Sequence, residues 1–323
     1  MIKRVLISLD GSELAGQVVP HLLRFVVAGE TEILLMTALP ASAFPVFKDD
    51  VKSLTLEQVD TLNGGQACYQ LEILEQELKE VGFKVQSQVL SGKPVKSILR
   101  LADETRVDLI AMSTHGRTGV GRLLLGSVAD EVLSYTHVPI FLVPAKTEVK
   151  SDSSPRIIFL PLDGSPLAET AIPIACQFAK NTNAMIYLIR VVDSHDSGDE
   201  SETITISSTS IDDDYAGEKP IVRQAAAYLK RIQLRLQLAG VTSQCQVVEG
   251  EPAEAITRIA GEENADLIVM STHGRRGVER QFYGSVASEV ISHAIWPMLI
   301  MCGKISANAG ERSVSAMPVT TYS

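Results

Sequence analysis

Two short segments carry residue types that could do chemistry together. One is Asp10-Gly11-Ser12. The other is the glycine-rich run Ser113-Thr114-His115-Gly116-Arg117-Thr118-Gly119-Val120-Gly121, which closes at Gly126-Ser127. Glycines let backbone N–H groups approach an anion without a Cβ in the way. Gly126-Ser127 would set free N–H groups and a hydroxyl at a helix N-terminus, where the helix dipole favours negative charge. A carboxylate repels phosphate, so Asp10 suits a donor: an adenine amino group or a ribose hydroxyl. One loop that accepts from a base or sugar, facing another that donates to phosphates, makes a nucleotide site.

Both segments recur. Asp10-Gly11-Ser12 matches Asp163-Gly164-Ser165 at an offset of 153, and Asp108–Val132 matches Asp266–Val290 without gaps at an offset of 158. The larger offset also carries Gly92 and Pro94 onto Gly250 and Pro252. Each copy is long enough to be a whole domain, so the chain is a tandem pair and not a solenoid. The expected boundaries are residues 1–146 and 156–303, with a linker over 147–155 and a disordered tail over 304–323. Ser194–Gly217, rich in Ser, Thr and Asp, reads as a mobile acidic loop.

The elements that must position these loops alternate in type. In the first copy, short apolar runs at Val5–Leu9, Ile33–Ala38, Lys84–Leu90, Leu109–Ser113 and Ile140–Val143 read as strands buried on both faces. Helical patterns fill the gaps at Leu14–Val27, Leu56–Val81, Val95–Thr105 and Ser127–Tyr135. The fold class is therefore α/β: two tandem doubly wound domains, each a five-stranded parallel sheet flanked by helices. With strand order 3-2-1-4-5, strands 1 and 4 are neighbours where the order reverses, and both loops face one crevice. Ser12 and Ser165 are placed to cap helices, with Pro166 at a first helical position. The apolar edges Ile140–Val143 and Met298–Met301 are expected to pair as a pseudo-symmetric dimer of domains, with a homodimer of the whole chain as a further option.

Bulk properties exclude several function classes. The 323 residues carry a net charge of −10, which disfavours general binding to nucleic acid or to an anionic membrane. Any polyanion must therefore be held in a local pocket of backbone donors. No apolar run approaches the ~20 residues that span a bilayer. The first residues, MIKRVLISLDGS, read as a strand and not a signal peptide. The four cysteines, Cys68, Cys176, Cys245 and Cys302, form no C-x-x-C pair and fit buried thiols of a cytoplasmic protein.

The glycine spacing is not that of a dinucleotide fingerprint. Gly121 to Gly126-Ser127 mimics a P-loop, but no lysine precedes the serine, and the second copy has Glu279 at the first glycine of the mimic. The spacing that both copies share is Gly116 to Gly126-Ser127 and Gly274 to Gly284-Ser285. Here the chain resembles the ATP-binding, double-domain members of the universal stress protein family, whose pattern is G-x2-G-x9-G-[S/T] after a strand ending in Met. It departs from that pattern in one position, since Ser113 and Ser271 stand at the first glycine. The resemblance implies ATP, with AMP or ADP as alternatives and Mg as an accompanying ion. It implies that Asp10 and Asp163 contact adenine or ribose, and that Met112 and Met270 line the adenine pocket. It also implies that Ala38 and Val191 hold the base through backbone groups.

The expected function is nucleotide-dependent regulation of a stress response, with ATP hydrolysis slow at most. Paired catalytic carboxylates and a P-loop lysine are not visible. Two other classes stay open: an adenylate-handling enzyme of the same fold, and a dimerisation module whose sites have lapsed. Plainer roles stay open for single residues too. Asp10 and Asp163 also fit Asx turns, Gly126 and Gly284 fit helix–strand packing, and His115 and His273 fit loop bracing.

Overall fold

The computed structural model of the protein describes residues 2–40, 65–114, 125–148, 154–192, 203–206, 219–273 and 284–303. The first half runs β1 (Arg4–Ser8), α1 (Glu13–Gly16), α2 (Val18–Leu23), β2 (Glu32–Leu39), α3 (Gly65–Glu80), β3 (Lys84–Ser91), α4 (Pro94–Thr105), β4 (Leu109–Ser113), α5 (Ser127–Tyr135) and β5 (Ile140–Val143). The second runs β6 (Ile157–Pro161), α6 (Pro166–Glu169), α7 (Ile172–Thr182), β7 (Met185–Val192), β8 (Thr203–Ile206), α8 (Pro220–Leu238), β9 (Ser243–Glu249), α9 (Pro252–Glu262), β10 (Leu267–His273), α10 (Ser285–His293) and β11 (Met298–Gly303).

The eleven strands among the described residues form one sheet, ordered β3-β2-β1-β4-β5-β11-β10-β6-β7-β9-β8. In each half five strands run parallel in the order 3-2-1-4-5, as the alternating pattern predicts. The halves join where β5 meets β11 antiparallel, and so the two apolar edges expected to pair do so. One apolar layer packs α1, α2, α3, α7 and α8 on one face of the sheet. A second packs α4, α5, α9 and α10 on the other. The central strands are buried on both sides; β4 is buried at every position.

The sheet face that carries α2 and α7 also joins the halves. Phe25 stacks on its repeat equivalent Phe178, with ring centroids 5.4 Å apart and an interplanar angle of 25°. Phe141 of β5 lies 6.0 Å from Phe25. The Arg24 guanidinium pairs with Asp266 at 2.9 Å, both groups largely buried. Asn181 Nδ2 donates to the Phe25 carbonyl at 3.0 Å, and the Ile2 N–H donates to Gln177 Oε1 at 2.9 Å.

Two expectations need correction. The helix read over Leu14–Val27 breaks at Gln17 into α1 and α2, because Pro20 has no N–H for the Gly16 carbonyl. Pro173 accompanies the same break in the second half, between α6 and α7. The segment Ser194–Gly217 is not loop throughout: Thr203–Ile206 forms β8 and pairs antiparallel with β9. Its Thr-Ile-Thr-Ile sequence is wholly β-branched and finds open ladder groups on that edge. The helix read over Leu56–Val81 is described from Gly65 to Glu80, and its first part lies outside the described residues. The tail 304–323 and most of the linker 147–155 also lie outside them.

Candidate nucleotide site

β1 stops at Ser8, opposite Met36, while β2 continues beside β3 to Leu39. The Met36 carbonyl accepts from the Leu9 N–H, so it points toward β1; the Leu39 carbonyl accepts from Gly92 and points toward β3. Strand groups alternate with a period of two, which turns the Ala38 backbone into the gap beyond the end of β1. The second half repeats this. β6 stops at Pro161 opposite Ile189, Leu162 takes the Ile189 carbonyl, and Val191 then faces the gap.

The Asp-Gly-Ser turn closes the first strand. The Ser12 N–H and hydroxyl donate to Asp10 Oδ1 at 3.0 and 2.6 Å, and Ser12 Oγ caps α1 by accepting from the Ala15 N–H at 3.1 Å. Asp163 Oδ1 accepts from the Ser165 N–H at 2.8 Å, and Ser165 Oγ caps α6. The Asx turn is therefore present, and it occupies one carboxylate oxygen of each aspartate. Gly11 and Gly164 have φ of 81° and 85°, a left-handed conformation that favours glycine. A Cβ on Gly164 would also lie 3.1 Å from Arg190 Nη1.

Across the crevice stands the helix after the fourth strand. Gly126 caps α5 and Gly284 caps α10, neither with a side-chain hydrogen bond. The first-turn N–H groups therefore receive no side-chain oxygen from the cap residue. The Gly126 N–H donates to the Thr114 carbonyl, which ties the helix start to the end of β4. A Cβ on Gly284 would meet nothing within 4 Å among the described residues, so they leave the approach to this helix end open.

These elements bound a cavity of about 280 Å³ in the first half, lined among others by Asp10, Ala38, Met112, Ser113, Gly126 and Ser127. Asp163, Val191, Met270, Ser271, Gly284 and Ser285 line a matching cavity of about 250 Å³ in the second. Met112 and Met270 are buried, and Ser271 shares a 3.0 Å hydrogen bond with Thr170. Gly116, Gly274, His115, Arg117, Arg275, Gly121 and Glu279 lie outside the described residues. His273 ends β10.

Other lining residues escaped the sequence reading. Pro94 and Pro252 open α4 and α9 at the crevice, signalled only by the repeated Gly-x-Pro. Thr114 and Thr272 follow the serines in the repeated Ser-Thr-His-Gly-Arg motif. Thr272 is buried, and its hydroxyl has no hydrogen-bond partner among the described residues. Leu9, Leu162, Ala129 and Ala287 line the cavities too, with nothing in their types to mark them.

Comparison with known proteins agrees with the fold and the duplication. The model of the universal stress protein family matches twice, over residues 1–144 and 155–301. A universal stress protein of Methanocaldococcus jannaschii is 29% identical over 159 residues, which cover 45% of this chain and 97% of that protein. One of Mycolicibacterium smegmatis is 24% identical over 220 residues, which cover 68% of this chain and 69% of that protein. The crystal structure of a universal stress protein from Archaeoglobus fulgidus superposes with a TM-score of 0.65 at 20% identity, covering 93% of this chain and 98% of that one. With the family pattern matched over both halves, the chain belongs to the universal stress protein family.

Proposed function

We propose that each half binds one adenine nucleotide, ATP in the first instance, and that the bound nucleotide regulates the protein's action in a stress response. One observation carries the reading. The same three parts bound two repeat-related cavities: an aspartate at the end of the first strand, outward-turned backbone at Ala38 or Val191, and a glycine-capped helix start. The parts fit the ligand in order. The aspartate accepts from adenine or ribose, the strand-end backbone pairs with the base edge, and the buried methionine packs on its face. The helix start donates to phosphate. The Thr272 hydroxyl, without a partner among the described residues, gains one when a polar ligand fills the second cavity. The described residues include no cluster of His, Cys, Asp or Glu that could hold magnesium, so the ion would come with the nucleotide and would offset part of its phosphate charge.

Backbone donors cradle ATP and its transition state about equally, which gives binding without acceleration. The protein therefore acts as a nucleotide sensor. Mass spectrometry of small molecules released on denaturing the purified protein is the test. An adenine nucleotide approaching two per chain supports the proposal. Its absence, together with no heat of ATP binding in calorimetry, refutes it.

A further inference from the structure

The two helices that cover the outer strands are repeat equivalents of opposite charge. α3 carries Glu72, Glu75, Glu77 and Glu80 against Lys79, a net −3. α8 carries Arg223, Lys230, Arg231 and Arg235 and no acid, a net +4. At the offset of 158, Glu72 corresponds to Lys230 and Glu77 to Arg235. A chain of net charge −10 thus concentrates positive charge on one helix, at the end of the sheet remote from its acidic counterpart. Glu72, Glu77, Glu80 and Arg223 make no ion pair among the described residues.

Exposed apolar residues lie on one face of each of these helices. On α3, Tyr69 is 62% and Ile73 39% exposed, both toward the N-terminal end, with Glu77 and Glu80 following on the same face. On α8 the order is reversed: Arg223 and Arg231 come first, then Leu234 at 56% and Leu238 at 81% exposed. Laid antiparallel, the two faces match along their length. In the register that sets Tyr69 on Leu238 and Ile73 on Leu234, Glu77 falls beside Arg231, and Arg223 lies about one turn (~6 Å) beyond Glu80, within reach of a long side chain.

Within one chain α3 and α8 cannot meet, because β1, β4, β5, β11, β10 and β6 separate the strands they cover. Both helices pack on the same face of the sheet. The halves run antiparallel through β5 and β11, so α3 and α8 also point in opposite directions. A two-fold axis along the strands lays α3 of one copy over α8 of another, antiparallel, and makes the reciprocal contact at the same time.

We infer that a second copy of this chain docks on this face, forming a closed two-fold dimer through two α3–α8 contacts. The surface is distinct from the β5–β11 junction and from both cavities. Charge complementarity chooses the register, and the exposed leucines, Ile73 and Tyr69 supply apolar area. The dimer should weaken when salt is raised from about 0.1 M to about 1 M, which shortens the screening length from about 10 Å to about 3 Å.

Sedimentation velocity on the full chain and three variants tests the inference, with circular dichroism to confirm folding. The wild type should dimerise. Glu77→Lys with Glu80→Lys should raise the dissociation constant by about tenfold or more, and Arg223→Glu with Arg231→Glu should do the same. The four substitutions together restore opposite charges and should restore the dimer. A wild type that stays monomeric overturns the inference, as does a dimer unmoved by salt and by either pair of reversals. A combined variant that is folded yet monomeric overturns it too. A monomeric wild type that sediments with anionic phospholipid vesicles, and loses this with Arg223→Glu and Arg231→Glu, assigns α8 to a membrane surface instead.

Discussion

Phe141 and Leu299 are repeat equivalents, and they face each other across the antiparallel β5–β11 pair. Met298 pairs with Leu142 and Ile300 with Ile140, so the pseudo-two-fold axis of the chain passes between Phe141 and Leu299. The stacked pair Phe25 and Phe178 obeys the same symmetry. A self-complementary junction of this kind is how two like domains close off their edges.

The junction should behave as core. Phe141→Ala removes a fully buried ring that touches Phe25 and should cost about 3–5 kcal/mol. Chemical denaturation followed by fluorescence and circular dichroism should show one transition for the wild type. For the variant it should show two, as the halves uncouple.

Asp266 and Asp108 are repeat equivalents with unequal duties. Each accepts from two N–H groups at the start of its first strand: Lys3 and Arg4 for Asp108, Arg156 and Ile157 for Asp266. Asp266 alone of the two is also paired with Arg24, from the other half. Asp266→Ala removes a largely buried ion pair together with two backbone acceptor contacts and should cost about 3–5 kcal/mol. Asp108→Ala should cost about 1–3 kcal/mol. Equal losses in urea denaturation would show that the cross-half pair contributes nothing.

His21 should make stability depend on pH. Burial, reinforced by the neighbouring Arg24 charge, lowers its pKa from 6.5 to about 4. The folded state therefore resists a proton that the unfolded state accepts readily, so stability falls as pH drops from about 6.5 toward about 4. Above that window both states are neutral and the effect vanishes. The second half has Ile174 at the equivalent position. His21→Ile should flatten the profile of unfolding free energy between pH 7 and pH 5.

Affinity and stability should separate at Asp163. Asparagine keeps the Oδ1 acceptor for the Ser165 N–H, so Asp163→Asn should leave the thermal midpoint nearly unchanged. It replaces the remaining carboxylate oxygen by a donor, and should weaken nucleotide binding at the second site by about 1–3 kcal/mol. Gly284→Val should abolish binding there by filling the open approach to α10. Calorimetry with ATP on both variants and the wild type checks this.

Hydrolysis should remain far below about 1 per second. Acceleration needs positioned positive charge and an oriented water at the terminal phosphate. A phosphate-release assay with magnesium should show no sustained turnover. Faster release that disappears in the Gly126→Val, Gly284→Val double variant would make the protein an ATPase.

The repeat, the alternation of strands and helices and the two Asp-Gly-Ser turns were legible in the sequence because they rest on local chemistry. Apolar runs bury on both faces, Ser12 and Ser165 cap helices, and Asp-Gly-Ser closes a strand whatever surrounds it. β8 was hidden because Thr203–Ile206 lies among acidic and polar residues, and only the open edge of β9 gives it a partner. Tertiary structure alone decided how far each strand runs beside its neighbour. That turned the Ala38 and Val191 backbone toward the crevice and brought Pro94 and Thr114 to its wall. It alone joined Arg24 to Asp266 and set Phe25 on Phe178, residues 242 positions apart in the first case. Such contacts depend on where the chain returns in space. A local pattern of polarity carries no record of that, because any buried phenylalanine or paired arginine reads the same in sequence whichever partner it meets.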